Sequence, residues 1–313
     1  MVGSRAFFTS IEKRAALRLQ HQFMYGAREV IFEHLNLDLN KIILGVVQHG
    51  FGPDFWAETN FPSPRLGIGR ARVLLASTPI SIRLQKKYPH HKVEAIGSPW
   101  AYLLKTLQTK PTETLENQRI KYCKSGLRVL FFVRHFNLRA GFKYTEEIVH
   151  EIGHQIREYY PSESITFCIF WSDLLSYDWF RFGREFDIRI ACAGVRELSP
   201  PWELHEARTK FLPQLARLIL EHDMCAFDTY SSAVPYALSL GRRSQLIALQ
   251  YSKKYPPFGK AHDWFRSEFT FTGNDELFPE KNLDLTEDLL GLNEVLSPEQ
   301  FEEIIPMIKL RIL

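Results

Sequence analysis

The sequence predicts an α/β protein built from two Rossmann-like domains that face each other across a cleft. From about residue 40, short apolar and β-branched runs alternate with helical patterns, which is typical of βαβ units and a mainly parallel sheet. The alternation stops in a polar segment and then restarts, which indicates a second unit of the same kind. With 313 residues, of which 45% are hydrophobic and 24% charged, the chain can bury a sizeable core.

The first half of the chain supplies three predicted strands after a helical region that covers about 11–35. These strands lie at residues 42–48, 72–77 and 92–97, and a helix is expected over 80–88. The polar segment 105–119 contains Pro111 and is the predicted linker between the two domains.

The second half repeats the pattern with five predicted strands. They are expected at 127–133, 165–171, 186–194, 224–229 and 244–250, with helices over 145–160, within 202–222 and over 231–240. We expect an N-terminal domain over 1–110 and a C-terminal domain over 126–275. Helices within 276–313 should then pack back toward the N-terminal domain.

The charge balance and the cysteine spacing of the chain indicate which partners and which compartment to expect. Lys and Arg number 39 against 36 Asp and Glu, and the basic residues are scattered along the chain, so no nucleic-acid partner is expected. Four cysteines, at 123, 168, 192 and 225, match neither a metal knuckle nor a disulfide framework and are expected to be free thiols. No apolar stretch approaches 18 residues, so neither a signal peptide nor a transmembrane helix is expected.

The most informative segment is 225–249, with the sequence CAFDTYSSAVPYALSLGRRSQLIAL. It predicts a strand, a polar turn, a helix that starts near Ser231 and Ser232 and ends at Gly241, and another strand. The first turn of a helix offers backbone N–H groups and a positive dipole end, and serine hydroxyls add donors. The turn therefore predicts a phosphate site; the alternative is that Ser231 simply caps the helix.

The arrangement D-T-Y-S-S-A-x-x-Y-A-L-x-L-G resembles the nucleotide-binding half of GT-B-fold glycosyltransferases and of CDP-glycerol glycerophosphotransferases. In that family a D-x-x-S-S/T turn opens a helix that ends in L-G-K-P, whereas this chain has Arg242 and Arg243 in place of Lys-Pro. The similarity covers about 127–250 in the order of elements, with one specific motif. The resemblance implies a GT-B-like fold, donor phosphates bound by Ser231 and Ser232, and no metal or other cofactor.

A histidine follows a predicted strand in the first half of the chain. The strand over 42–48 leads into His49 and Gly50, which places an imidazole at the carboxyl end of a strand. CDP-glycerol transferases carry a similar His-Gly, and the resemblance implies that His49 is the catalytic base. Asp54 is the competing base in the same loop, and a structural role for His49, bonded to loop backbone, is left open.

A basic loop follows the first strand of the second half. Arg134 and Arg139 are expected near the carboxyl edge of the sheet, where a guanidinium can bind a diphosphate through two parallel hydrogen bonds. The alternative is an ordinary solvated basic loop.

One motif indicates a different chemistry. His150, Glu151 and His154 form a literal H-E-x-x-H, the pattern in which two histidines bind zinc and the glutamate activates water. At the helical period, however, the two histidines lie opposite an apolar face and are predicted to face solvent. The H-x-x-G-x-x-H extension is absent, since Arg157 and Tyr160 occupy the glycine and third histidine positions. The apolar face consists of Ile148, Val149, Ile152 and Ile156.

Together these features predict a metal-independent glycosyltransferase that moves a sugar or a polyol phosphate from a nucleotide-activated donor to a glycan acceptor. The acceptor is expected to be a surface glycan or its lipid-linked precursor. The enzyme is expected in the cytoplasm, with peripheral association at the inner face of the membrane. Two alternatives stay open: a zinc metallopeptidase that uses the motif at 150–154, and a non-catalytic module that binds sugar nucleotides.

Overall fold

The computed structural model describes residues 24–43, 46–48, 73–75, 78–89, 92–109, 126–134, 144–171, 173–194, 210–250, 259–277 and 280–309. Within these ranges the chain forms eleven strands and ten α-helices. The first group is α1 (Ala27–Leu35), β1 (Lys41–Ile43), β2 (Val46–Val47), β3 (Val73–Leu75), α2 (Thr78–Lys87), β4 (Val93–Ala95) and α3 (Pro99–Thr109). The second is β5 (Arg128–Phe132), α4 (Glu146–Tyr159), β6 (Ser164–Cys168), α5 (Trp179–Glu185), β7 (Ile188–Ala191), α6 (Phe211–Leu220), β8 (Met224–Phe227), α7 (Ala233–Ser239) and β9 (Arg243–Leu246). The last is α8 (Gly259–Glu268), β10 (Glu276–Leu277), α9 (Leu283–Leu290), α10 (Pro298–Ile304) and β11 (Met307–Lys309).

The second half of the chain forms a six-stranded sheet in the order β10-β9-β8-β5-β6-β7. All neighbouring pairs are parallel except β10 with β9. Strand β5 lies inside the sheet, and its residues alternate between two apolar cores because side chains of a strand point alternately to opposite faces. Val129 and Phe131 pack in the core beneath α4 and α5, whereas Leu130 packs in the core beneath α6 and α7.

The first half contributes a three-stranded parallel sheet in the order β2-β3-β4. Parallel strands joined through helices in both halves confirm the predicted α/β class. The single strand predicted over 42–48 is wrong, because this run supplies two strands to different sheets. Strand β1 pairs antiparallel with β11, while β2 joins the parallel sheet.

Two further boundaries differ from the sequence prediction. Helix α3 continues to Thr109, so the linker predicted from residue 105 can only begin after it. The helix predicted toward the end of the chain stops at Ile304, since Pro306 cannot donate a helical hydrogen bond, and residues 307–309 form β11 instead. Residues 110–125, which include Pro111, lie outside the described residues.

The C-terminal segment contacts elements of the first half. The Leu290 carbonyl accepts a hydrogen bond from the Ser98 amide at 2.9 Å, and the Tyr102 hydroxyl accepts one from the Leu296 amide at 3.3 Å. The rings of Phe32 and Phe301, both fully buried, meet edge to face with centroids 6.3 Å apart. Strand pairing, hydrogen bonds and ring packing therefore all hold residues 290–309 against the N-terminal elements.

Three of the four cysteines lie among the described residues. Cys168, Cys192 and Cys225 form no disulfide, and all but the half-buried Cys192 are buried. Among the helices that the structure describes, none has the length and apolar character needed to cross a bilayer.

Candidate functional site

Arg134 and the turn that carries Ser231 and Ser232 each follow a strand that ends at the carboxyl edge of the six-stranded sheet. Strands β5 and β8 are parallel neighbours, and Phe132 pairs with Phe227 at their last positions. Their rings stack with centroids 5.0 Å apart. The chain therefore leaves both strands at the same level, and Arg134 follows one strand while Asp228 follows the other.

The turn after β8 carries Ser231 and Ser232 into helix α7. The Ser231 Oγ accepts a hydrogen bond from the Ala233 amide at 3.3 Å, and the Ser231 carbonyl accepts one from the Val234 amide at 3.0 Å. Ser232 has helix-like torsions and makes no capping bond with its side chain. Ser231 thus bonds the first amide of the helix from the position before the N-cap, which is Ser232, and both serines are half-buried.

The backbone of this turn differs from the phosphate cradle that the sequence predicts. The amides of Ala233 and Val234 are already bonded to Ser231, and Pro235 has no N–H to offer. Helix α7 is also only seven residues long, which limits its dipole. Any phosphate held here would therefore depend on side chains, the serine hydroxyls and Arg134, more than on helix amides.

Helix α7 is fixed at its far end by helix α3. The Trp100 indole donates to the Ser239 Oγ at 2.9 Å and stacks on the Tyr236 ring with centroids 4.0 Å apart. Gly241 adopts the left-handed conformation (φ 66°), and the Arg242 amide closes the helix on the Ala237 carbonyl at 3.0 Å. The C-cap is Leu240, and Gly241, predicted as the C-cap, takes the left-handed position directly after it.

Arg134 is held through its backbone by a buried tyrosine. The Tyr144 hydroxyl donates to the Arg134 carbonyl, and the Tyr144 ring, 3% exposed, meets Trp179 edge to face at 5.2 Å. Burial raises the pKa of Tyr144 well above its ordinary value, so its hydroxyl remains a donor at any physiological pH. The half-buried guanidinium has its pKa lowered by burial, and the nearby charge of Asp228 opposes that change.

Asp228 is a site residue that the sequence reasoning missed. It is 4% exposed, and burial raises its pKa to about 7, while the positive charge of Arg134 acts in the opposite direction. Its carboxyl group therefore changes charge close to neutral pH beside the guanidinium. The sequence signal was present, since Asp228 is the first residue of the D-T-Y-S-S turn and directly follows the apolar strand β8.

Three of the predicted site residues cannot be compared with this geometry. His49, Asp54 and Arg139 lie outside the described residues. The described chain approaches His49 through Gln48, which is 4% exposed and directly follows strand β2. The roles of His49, Asp54 and Arg139 therefore stay predictions.

The H-E-x-x-H residues take part in helix packing. The apolar face of α4 is buried as predicted, and His154 is exposed, but His150 is half-buried, which differs from the prediction. Both imidazole rings pack edge-on against the ring of Phe186, with centroid distances of 5.5 and 5.0 Å. The His150 Nδ1 lies 3.2 Å from a Glu185 carboxylate oxygen.

Gly153, within the same motif, allows α4 to pack closely against α5 because it has no side chain. A Cβ at that position would lie 2.8 Å from the rings of Phe182 and Phe186. The motif therefore brings α4 close to the C-terminal end of α5. Within the described ranges, no group of three or more His, Cys, Asp or Glu side chains is arranged to hold a metal ion.

Comparison with known proteins gives similarity in structure alone. No protein-family model and no curated protein sequence matches the chain. The structure of the wall teichoic acid polymerase TagF is similar at 12% identity and a TM-score of 0.37, over 74% of this chain and 52% of the polymerase. The UDP-GlcNAc 2-epimerase of Neisseria meningitidis, bound to UDP-GlcNAc, is similar at 12% identity and a TM-score of 0.38, over 82% of this chain and 66% of the epimerase.

A third similar structure is that of S. aureus MnaA with UDP, at 11% identity and a TM-score of 0.37, over 83% of this chain and 64% of that protein. The chain spans about half the length of the polymerase and just under two thirds of the epimerase. All three similarities combine an identity of 11% or 12% with a TM-score below 0.5.

Proposed function

We propose that the chain is a GT-B-type transferase that moves a sugar or a polyol phosphate from a nucleotide-activated donor to a glycan or lipid-linked glycan acceptor. The observation that carries this proposal is that Arg134 follows β5 and the turn with Ser231 and Ser232 follows β8, two parallel neighbours whose carboxyl ends lie at the same level. Ligands of parallel α/β sheets bind at this edge. A guanidinium and serine hydroxyls that follow neighbouring strands at this edge are suited to a phosphate.

The proposed chemistry follows from the charge that develops during transfer. When the bond to the donor phosphate breaks, negative charge accumulates on the departing nucleotide, and Arg134 with the serine hydroxyls stabilises it. Arg139 is proposed as a second cation in the same loop. His49 is proposed to remove the proton of the acceptor hydroxyl, and Asp54 is the competing base.

The proposal assigns different roles to the parts of the chain. Residues 126–275 would bind the donor and residues 1–110 the acceptor, with the helices of 276–313 packed against the latter. The donor is a cytoplasmic metabolite in this scheme, so the enzyme would act in the cytoplasm in surface-polysaccharide biosynthesis. The peptidase alternative is not favoured, because Phe186 packs against both histidines of its motif.

The first experiment identifies the nucleotide. UDP, CDP, GDP and CMP are added separately to the purified chain, and the thermal midpoint is measured. A ligand that binds only the folded state at 100 times its Kd adds about 2.7 kcal/mol of stability, which is easily detected. We expect one nucleoside diphosphate to raise the midpoint clearly above the others, and no response to any of the four would count against the proposal.

The second experiment tests the site with matched serine variants. Ser231→Ala should cost about 1 kcal/mol of stability through loss of the hydrogen bond that its Oγ accepts from the Ala233 amide at the start of α7. Ser232→Ala and Arg134→Ala should instead weaken binding of the stabilising nucleotide, measured by calorimetry. Ser239→Ala is the control, because it removes a serine at the other end of α7 that bonds Trp100. Unchanged nucleotide affinity in folded Arg134→Ala would remove this residue from the site.

A third measurement separates an enzyme from a binding module. His49→Ala should leave affinity for the nucleotide nearly intact and reduce turnover of the corresponding nucleotide sugar or polyol by at least about 100-fold, because general-base catalysis contributes about that much. A chain that binds the nucleotide but shows no turnover with any acceptor would be the non-catalytic module.

A further inference from the structure

One tryptophan at the carboxyl edge of the six-stranded sheet has a polar atom without a partner in the described part of the chain. The indole N–H of Trp171 is shielded from water, and no described residue accepts a hydrogen bond from it. By contrast, the buried indoles of Trp100 and Trp179 donate to the Ser239 Oγ and the Asp173 carbonyl, at 2.9 and 2.8 Å. A shielded donor without an acceptor costs free energy, which a ligand that offers an acceptor would recover.

Trp171 lies in the turn that follows strand β6. The Asp173 amide donates to the Phe170 carbonyl at 2.9 Å, so the chain turns around Trp171. The turn is fixed from inside the fold, because the Asp173 carbonyl accepts hydrogen bonds from the Ser176 Oγ at 2.7 Å and from the Trp179 indole. The ring of Trp171 is half-buried and tilted by 53° against that of Phe170. A fixed turn therefore presents an aromatic ring and a hydrogen-bond donor at this edge of the sheet.

A chain of contacts connects this turn to Arg134. Trp179, bonded to the Asp173 carbonyl, meets the Tyr144 ring edge to face at 5.2 Å, and the Tyr144 hydroxyl donates to the Arg134 carbonyl. Burial raises the pKa of Tyr144, and the charges of Asp173 and Arg134 act on it in opposite directions, so both lie near this hydroxyl. Strands β5 and β6 are parallel neighbours, and such strands lie about 4.8 Å apart. A nucleotide whose phosphate contacts Arg134 can therefore extend to Trp171.

The polar groups of this turn suit a sugar hydroxyl better than a phosphate. An indole N–H only donates hydrogen bonds, and an ionised carboxylate only accepts them. Asp173, which is 1% exposed, stands two positions after Trp171. A hydroxyl group donates and accepts at once, whereas the charge of a carboxylate repels the oxygens of a phosphate. The half-buried ring of Trp171 adds apolar surface, against which the C–H groups of a sugar pack.

We propose that Trp171 binds a sugar hydroxyl group of the nucleotide donor through its indole N–H. This inference rests on the transferase function proposed above. The hydroxyl belongs either to the ribose or to the transferred sugar or polyol, since both carry the same group next to the donor phosphates. A site that bonds a hydroxyl discriminates against the deoxy analogue, because the analogue leaves the indole N–H unpaired. Trp171 is thus a specificity-determining residue of the donor site.

Calorimetry with matched ligands tests the proposal. The full chain and Trp171→Phe are titrated with UDP, CDP and GDP, with the 2′-deoxy and 3′-deoxy forms of each, and with inorganic pyrophosphate. UDP-glucose, CDP-glycerol and GDP-mannose add a transferred group. Trp100→Phe is the control, because it removes an indole N–H that already has an acceptor in Ser239.

We expect Trp171→Phe to weaken binding of the preferred donor about 10-fold and that of pyrophosphate less than about 2-fold, since pyrophosphate carries no sugar. If the hydroxyl is that of ribose, one deoxy form should bind the natural chain about 10-fold more weakly and lose nothing further in the variant. If it belongs to the transferred group, the loss should appear only when that group is present. An equal loss for pyrophosphate, or no loss for any ligand, would overturn the proposal.

The thermal midpoint without ligand gives a second readout. Trp171→Phe removes a donor that no described residue satisfies, so the midpoint should shift by less than about 2 °C. Trp100→Phe breaks a hydrogen bond within the chain and should lower the midpoint by at least about 3 °C while nucleotide affinity is preserved. A fall as large in Trp171→Phe would indicate an acceptor within the chain and refute the inference.

Failure of this inference can be told from failure of the transferase proposal. Nucleotide binding that is identical in the natural chain and in Trp171→Phe refutes the role of Trp171 alone. A natural chain that binds none of the nucleotides refutes both.

Discussion

Asp223 and Asp228 lie at the two ends of strand β8, and their environments shift their pKa values in opposite directions. Asp223 precedes the strand and is partly exposed, and its hydrogen bonds from Arg128, at 2.9 and 3.1 Å, lower its pKa. Asp228 follows the strand and is buried, which raises its pKa from 3.8 to about 7. Replacement of Asp228 by Asn removes the titrating group with almost no change in shape.

The size of the stability change follows from the pKa of Asp228 in the unfolded chain, 3.8, and in the folded chain, about 7. Between pH 3.8 and about 7 the folded chain retains this proton while the unfolded chain has released it, so stability falls as the pH rises through this window. At about 1.4 kcal/mol per pKa unit, the loss approaches 4 kcal/mol above pH 7. The part lost between pH 5 and pH 8 is about 3 kcal/mol. Asp228→Asn should therefore gain about 3 kcal/mol relative to the natural chain over that interval.

Urea unfolding at pH 5, 6, 7 and 8, followed by tryptophan fluorescence, measures this difference. Asp223→Asn is the control, because a carboxyl with a lowered pKa stays ionised in both states over this range, so its destabilising effect should be the same at every pH. A stability difference for Asp228→Asn that does not vary with pH would refute the reasoning. If the variant is more stable at pH 8 but binds the nucleotide more weakly, the buried carboxyl is retained for function at the expense of stability.

Three other predictions concern pH, packing and metal. His222 is buried between a helix carbonyl and a strand hydroxyl, and burial lowers its pKa. Its contribution to stability should therefore be lost as the pH falls below 6.5. His222→Gln should flatten this decline in stability, measured by urea unfolding. Gly183→Ala would place a Cβ 2.6 Å from a carbonyl oxygen of β7. Although alanine favours the helix by up to about 1 kcal/mol, this clash should lower the free energy of unfolding by a net of about 1–2 kcal/mol. Gly273→Ala, whose Cβ would lie in open space, should change it by less than about 0.5 kcal/mol. Elemental analysis should find no stoichiometric zinc, and Glu151→Gln should leave any transferase activity unchanged; one zinc per chain that is absent from His150→Ala would contradict this.

The elements that the sequence predicts well are those with strong periodicity. Strands β5 and β8 are short runs buried on both faces, and α4 carries its apolar residues at helical spacing after an N-cap threonine, Thr145. Helix α5 was missed because its sequence, WFRFGRE, is short and alternates aromatic with polar residues, a pattern that also fits a strand. Helix α3 is not predicted by the sequence analysis, and its residues 105–109 fall within the predicted linker, although Pro99 stands at its first position, where proline is favoured.

The candidate site was predictable as a set of residue types but not as an arrangement. The motif indicates Ser231 and Ser232, and the basic loop after β5 indicates Arg134. The pairing of β5 with β8, which brings Arg134 near Asp228, is a property of sheet order that local patterns do not encode. Burial, which gives Asp228 its raised pKa, likewise arises only when the sheet is assembled. The split of one apolar run into β1 and β2 has the same origin, since the partner of β1 is β11 at the other end of the described chain.

The pairing of β1 with β11 affects how the chain folds during synthesis. Lys41 pairs with Lys309 in the strand register and with Glu302 through an ion pair that spans 261 positions. During synthesis at about 5–20 residues per second, β1 has no partner for more than ten seconds, and the ring of Phe32 lacks Phe301 for the same interval. Contacts this distant in sequence also slow folding, because a long loop must close before they form. Strand β1 and the packing of Phe32 are therefore among the last parts of the fold to be completed, and a chain truncated before residue 300 should depend on chaperones and be degraded rather than accumulate as a stable N-terminal half.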